Sequence, residues 1–237
     1  MRLPRDITLI VHFVLDELVP PWLRDRKWFM WLPFKLVFGD KAGLFFEFKE
    51  RAPHMSPQQF EQTYRDTLSV HIERETDLND ACIAAIDESI VGASVLDIAC
   101  GRGFLAVRLA KRYRVTAADI VVDAELARAH PQIRFRETRL EALPFADREF
   151  DTVVCTHTLE HVQDIQGAVR ELRRVTARRL IVVVPKQRPY RYTFDLHLHF
   201  FPYASNLLMA LEPRGRTASC RALGGDWFYV EDVGPES

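Results

Sequence analysis

From residue 93 onward, short apolar runs alternate with helical segments, and this alternation restricts the possible folds more than any other feature. Residues 94–98, 115–118, 133–135, 152–155 and 180–184 read as strands, and residues 104–112, 123–129 and 164–176 as helices between them. The run Leu180-Ile-Val-Val-Val184 has no polar alternation at all. A strand that is apolar on both sides needs cover on both faces, which a parallel sheet flanked by helices supplies. Near the end, residues 217–223 and 227–230 flank Gly224-Gly225, a tight-turn pair, and form an antiparallel hairpin. The expectation is an α/β fold: a doubly wound, mostly parallel, seven-stranded sheet with an antiparallel C-terminal hairpin.

Residues 1–91 follow a different pattern, and the expected division is an N-terminal helical, aromatic-rich cap or lid over 1–91 and a sheet domain over 92–237. The first part carries 11 basic and 15 acidic side chains, although the full chain of 237 residues has a net charge of only −1. Aromatic residues make up 11% of the chain, and nine of them fall within residues 22–49, three of the four tryptophans included. Ser56-Pro57 starts a helix, serine as N-cap and proline at the first helical position. A second helix is expected over residues 77–90, stopped by Gly92. At the N-terminus, Ile7, Ile10, Val11, Val14, Leu15 and Leu18 have helical spacing up to Pro20-Pro21. The run is too short to cross a bilayer and lacks a small-x-small cleavage site. It reads as a helix packed on its own domain, with a peripheral membrane contact or a homodimer helix as the alternatives.

The near-neutral charge excludes a chain-wide nucleic-acid field. Cys82, Cys100, Cys155 and Cys220 have no CxxC spacing and read as reduced thiols of a cytoplasmic protein. The basic run Arg170, Arg173, Arg174, Arg178 and Arg179 reads as a solvated helix face, cations being favourable towards a helix C-terminus.

The first strand of the sheet ends in Val95-Leu-Asp-Ile-Ala-Cys-Gly-Arg-Gly-Phe-Leu-Ala106. Gly101 and Gly103 let the backbone turn sharply and approach a ligand at the next helix N-terminus. On its own that pattern also fits a dinucleotide fingerprint. Asp97 argues otherwise: a carboxylate at the strand end repels a pyrophosphate and suits an amine-bearing ligand. Asp119 closes the second strand, where a carboxylate can accept two ribose hydroxyls.

These residues, with Leu140-Glu-Ala-Leu-Pro-Phe-Ala-Asp147 and Phe150-Asp-Thr-Val-Val-Cys-Thr-His-Thr-Leu-Glu-His161 in the same order, resemble the class I S-adenosylmethionine-dependent methyltransferases, in the small-molecule, quinone-biosynthesis-like branch. The resemblance covers residues 93–185 and implies a Rossmann-like fold with S-adenosyl-L-methionine as cofactor. It implies that Asp97 holds the amino-acid end, Asp119 the ribose, Ile120 and the Leu140 backbone the adenine, and that Thr156 lies beside the methionine part. Two departures stand out. Ala99 replaces the first glycine of the family's loop, and Arg139 occupies a position where many relatives carry an acid.

Methyl transfer needs an aligned nucleophile and a base if that nucleophile is protonated. His157, after the fourth strand, is one candidate. Asp195, His197 and His199 are others: in an extended stretch they share one side, as acceptor lining that includes a base, as metal ligands, or as structural hydrogen-bonding groups. We expect no metal. Glu160 and His161 brace the loop, Arg188 and Arg191 suit an anionic group on the acceptor, and His12, His54, His71 and His130 carry no constellation. The functional expectation is methyl transfer to a small molecule, an O-methylation of a bulky or apolar metabolite such as a quinone, a lipid-linked sugar or a secondary metabolite. The alternatives are a non-catalytic binding protein acting through the aromatic segment and a nicotinamide oxidoreductase. No base-flipping motif or strong phosphate track points to nucleic acid.

Overall fold

The computed structural model describes residues 14, 18–67, 75–189, 191–192, 194–214 and 217–234. Of the helix expected from Ile7 onward, only Val14 and Leu18 are among them, and His12 and His71 lie outside. The chain divides into two compact units, residues 1–73 with 188–198, and residues 74–187 with 199–237. This partition differs from a boundary at 91. The helix before the first strand belongs to the sheet unit because Leu78, Cys82, Ile83 and Ile86 pack into its core.

The N-terminal unit holds α1 (Pro21–Arg24), α2 (Lys27–Phe38), α3 (Ala42–Arg51) and α4 (Pro57–Thr67). Its core is aromatic: Phe34, Phe45, Phe46, Phe48 and Phe60 pack with Met30, Tyr192 and Leu196. Phe34 stacks on Phe194 with centroids 4.6 Å apart, and Phe46 on Tyr192 at 4.0 Å. At the start of α4, Ser56 and Gln59 form the reciprocal capping box, Gln59 N–H donating to Ser56 Oγ and Ser56 N–H to Gln59 Oε1.

The sheet unit runs α5 (Asp80–Ser89), β1 (Ser94–Ile98), α6 (Phe104–Leu109), β2 (Arg114–Asp119), α7 (Ala124–Ala129), β3 (Arg134–Glu137), β4 (Phe150–Thr156), α8 (Ile165–Val175), β5 (Thr176–Pro185), α9 (Ala204–Leu211), β6 (Thr217–Leu223) and β7 (Asp226–Asp232). Aspartate and asparagine caps set three of the helix starts: Asn79, Asp123 and Asp164 each accept from a first-turn N–H. The seven strands lie in the order β3-β2-β1-β4-β5-β7-β6. The first five pair in parallel, while β7 runs antiparallel between β5 and β6. Alternation in β5 divides the core in two. Leu180, Val182 and Val184 face the layer containing Val169 and Leu172 of α8, whereas Ile181 and Val183 face Ile86 of α5 and Leu105 of α6. Helix α9 was not expected from the sequence; it buries Leu207 and Leu211 in the α8 layer.

Asp151 fastens the start of β1 to β4. Its Oδ2 accepts from the N–H groups of Ala93 and Ser94 and from Ser94 Oγ at 2.8–3.0 Å, and these donors hold its carboxyl below the usual carboxylate range. Gly92, at φ +77°, has no room for a Cβ because Asp151 fills that space. Asp151→Ala should therefore cost about 2 kcal/mol, the cost of leaving such donors without their charged acceptor. Urea unfolding at neutral pH checks this. The wild-type advantage should fade in acid, as Asp151 becomes protonated in the folded state.

Candidate active site

The carboxyl ends of β1, β2 and β4 meet on one edge of the sheet, because Asp97 pairs in register with Ala117 and Val154. After β1 the chain makes a turn with three left-handed residues: Ala99 (φ +56°), Gly101 (φ +51°) and Gly103 (φ +74°). Cys100 N–H donates to Ala118 O and Gly103 N–H to Cys100 O, which fixes the turn against β2. Two glycines supply this conformation at no steric cost, and Ala99 adopts it with strain on the order of 1 kcal/mol. A Cβ on Gly101 would meet nothing within 4 Å, so the loop backbone there fronts open space. At Gly103 a Cβ would press on Leu126 at 2.7 Å, so this glycine serves the packing of α6 on α7.

Two carboxylates end the strands beside this turn. Asp119 accepts from Gly101 N–H at 2.8 Å through Oδ2 and from Val121 N–H at 3.3 Å through Oδ1. Burial raises its pKa against the pull of these donors. Asp97 is 1% exposed, and its Oδ2 has no hydrogen-bond partner. Burial, with Asp119 as a second contribution, pushes it up to about 7, against one lowering hydrogen bond from the Ala106 backbone. An unpartnered oxygen on a buried acid fits a ligand that brings a cation or a donor. A glycine loop fronting open space fits the same ligand. The residues present thus suit the ammonium and ribose of S-adenosylmethionine. Ile120 follows Asp119 half-buried, Leu140 is buried, and Arg139 turns its guanidinium towards Glu141 at 3.7 Å.

His157 follows β4 in a left-handed conformation (φ +49°), held by its N–H to Val183 O at 2.8 Å. That backbone turn puts its ring between two acids, with Nδ1 3.7 Å from Glu160 Oε1 and Nε2 3.6 Å from Asp226 Oδ2. Burial alone would lower its pKa, but Asp226 and Glu160 outweigh burial and hold it above the ordinary imidazole value. Asp226 opens β7 and is itself held by Asn79 Nδ2 at 2.8 Å. Glu160, fully buried, also lies 4.0 Å from His161 Nε2. Thr156 ends β4 opposite Val183, and its carbonyl accepts from Thr158 Oγ1.

The stretch expected to align Asp195, His197 and His199 forms no strand among the described residues. Asp195 and His197 belong to the N-terminal unit, and His199 to the sheet unit. His199 places Nε2 2.9 Å from Val162 O, as the N–H donor of a neutral ring, and burial lowers its pKa. Arg191 pairs with Glu50 at 2.8 Å within the N-terminal unit. Sequence reasoning missed Asp226 and Asn79. Neither stands in a motif: Asp226 reaches His157 through the β5–β7 pairing, and Asn79, the α5 cap, reaches Asp226.

Because folded Asp97 binds a proton up to about pH 7 and the unfolded chain releases it near pH 4, Asp97 lowers the stability of the ligand-free protein as pH rises across that interval. Asp97→Asn should raise the thermal midpoint at pH 8, with the gain shrinking towards pH 5. Scanning calorimetry of both forms across that range checks it, and equal midpoints at pH 8 would contradict it.

Residues 96–184 match the family model described as a methyltransferase domain. Among curated proteins, the chain is 42% identical over 86 residues to a ubiquinone biosynthesis O-methyltransferase of Methylocella silvestris, covering 33% of this chain and 34% of that one. It is 35% identical over 96 residues to a 2-phytyl-1,4-naphtoquinone methyltransferase of Trichormus variabilis, covering 35% and 42%. The matched segments thus span about a third to two-fifths of these relatives' length. The fold resembles that of 1,6-didemethyltoxoflavin-N1-methyltransferase from Burkholderia thailandensis, with a TM-score of 0.58 at 17% identity over 76% of this chain and 91% of that one. The motifs, the strand order and these matches agree on a methyltransferase domain over residues 96–184.

Proposed function

We propose that the protein transfers a methyl group from S-adenosylmethionine to a hydroxyl oxygen of a bulky, apolar small molecule. The observation that supports it most is the pairing of an amine-ready acid, Asp97, with a two-acid histidine, His157, on the same edge of one sheet. The names of the matched relatives, a ubiquinone biosynthesis O-methyltransferase and a 2-phytyl-1,4-naphtoquinone methyltransferase, favour an apolar acceptor.

The cofactor supplies an electrophilic methyl on a sulfonium. Asp97 receives the ammonium, the turn at Gly101 and Gly103 admits the amino-acid end, and Ala99 completes the turn. Asp119 would accept hydrogen bonds from the ribose hydroxyls, Ile120 would pack on the adenine, the Leu140 backbone would read its edge, and Thr156 would border the methionine part. His157, as neutral imidazole, takes the proton of the acceptor hydroxyl while Asp226 and Glu160 orient the ring and stabilise its charged form. Asp195, His197 and His199 remain proposed contributors to acceptor binding. Burial lowers the pKa of His199, whereas Asp226 and Glu160 raise that of His157, so His157 is the stronger base.

Calorimetry with S-adenosylhomocysteine tests the cofactor half. Asp119→Ala should weaken binding by about tenfold to a hundredfold, as expected for lost hydrogen bonds to an ionised acceptor. Wild-type affinity should fall as pH drops below about 7, where Asp97 must first lose a proton. Incubation with methyl-labelled cofactor and a fractionated lipid and metabolite extract tests the acceptor half. His157→Gln should abolish label transfer while leaving S-adenosylhomocysteine affinity intact. Asp226→Asn removes a group that raises the His157 pKa, so the acid limb of the rate profile should move to lower pH. An unmoved limb removes His157 from the role of base.

A further inference from the structure

Helix α2 is apolar on all sides, and only one of its sides is used. Met30 and Phe34 are fully buried in the aromatic core of the N-terminal unit. On the other side, Trp28, Trp31, Leu32 and Leu36 are exposed at 71%, 43%, 64% and 69%. Their spacing of three, four and eight residues from Trp28 puts them on one face, where Lys35 is the single polar member. Trp22, in α1, is exposed at 68% and adds a third tryptophan. A soluble surface rarely carries a contiguous patch of this kind without an occupant.

The charges nearby narrow the choice of occupant. Helix α2 carries Lys27 and Lys35 and no acid, and the exposed Arg26 precedes it. The nearby acids are Asp25, before the helix, Asp40, which pairs with Lys35 at 3.0 Å, and Glu47 and Glu50 of α3, which line a cleft with Lys27. With these acids included, residues 21–51 carry seven cations against four anions. Two copies meeting through this face would bring lysines against lysines. An anionic lipid surface would attract them. Tryptophan suits the same surface, since its ring is apolar and its N–H remains hydrated at headgroup level. At twelve residues the helix is about 18 Å long, too short to span the hydrocarbon layer, so it can only lie in the interface. No helix among the described residues is long and apolar enough to cross a membrane.

We propose that the Trp28–Trp31–Leu32–Leu36 face of α2, with Trp22 and the flanking Arg26, Lys27 and Lys35, docks the protein in the plane of an anionic phospholipid bilayer. This surface lies in the N-terminal unit and does not depend on the reaction proposed above.

The test is co-sedimentation of the full chain with vesicles of phosphatidylcholine alone or with about a third phosphatidylglycerol, a composition that gives a strongly negative surface. The wild type should bind the anionic vesicles with a blue shift of tryptophan emission, and binding should weaken as salt is raised. Trp28→Ser with Leu32→Ser and Leu36→Ser should weaken binding by about tenfold or more, through loss of inserted apolar area. Lys27→Glu with Lys35→Glu should weaken binding to anionic vesicles selectively. All these positions are exposed, and unchanged S-adenosylhomocysteine affinity with an unchanged thermal midpoint shows that each variant is folded. The proposal fails if the wild type ignores anionic vesicles, or if folded variants bind as the wild type does. It also fails if light scattering finds a wild-type dimer that the triple serine variant dissolves without any vesicle binding.

Discussion

Residues Leu180 to Val184 of β5 are each fully buried, and this two-sided burial is the constraint on which the sheet unit depends. A strand with no solvent face must have a strand on each edge and a helical layer on each side. Here β4 and β7 occupy the edges, and α8 and α5–α6 lie in the two layers. Parallel pairing from β3 through β5 then sends the carboxyl ends of those strands to one edge. The antiparallel β7 delivers its first residue, Asp226, to that same edge beside Pro185. The position of the functional groups is thus a consequence of the packing of β5.

That edge tolerates arrangements that a core would reject. Asp97 is a buried acid with an unpartnered oxygen, and Ala99 and His157 hold backbone conformations that favour glycine or asparagine. Such features lower the stability of the ligand-free protein and persist where a ligand or a reaction returns the free energy. The contrast with Glu231 is instructive. It is equally buried, yet it accepts from Arg173, Tyr229 and the Arg214 N–H, so its carboxyl lies below the usual range despite burial. Glu231 is a satisfied structural acid, whereas Asp97 retains binding capacity. Hydrogen-bond completeness, more than burial, separates the two.

The aromatic residues of the N-terminal unit divide by the same reasoning. Phe34, Phe46, Phe48 and their neighbours are core: Phe34 and Phe46 meet edge to face, and they stack on Phe194 and Tyr192 of the segment 188–198. The tryptophans of α1 and α2 are not. An excess of aromatic composition that would otherwise count as packing therefore contains a surface component with a different physical role.

Local chemistry made much of the sheet unit legible in the sequence. The first strand lies at residues 94–98 as its apolar run indicates, and Asp123, Asp164 and Ser56 sit at helix starts because their side chains bond first-turn N–H groups. The glycine turn and the strand-end acids were legible too, since short-range backbone geometry dictates both. Helix α9 was missed, because the aromatic, proline-bounded stretch before it obscured its period. The stretch holding Asp195, His197 and His199 forms no strand, so simple alternation does not describe it. The sequence by itself determined the strands, the glycine turn and the position of the acids Asp97 and Asp119 at strand ends, all of which depend on neighbours a few residues away. Only the tertiary structure decided that Asp226 lies beside His157 and that one face of α2 stays uncovered, because strand register and helix packing join residues that no local pattern relates.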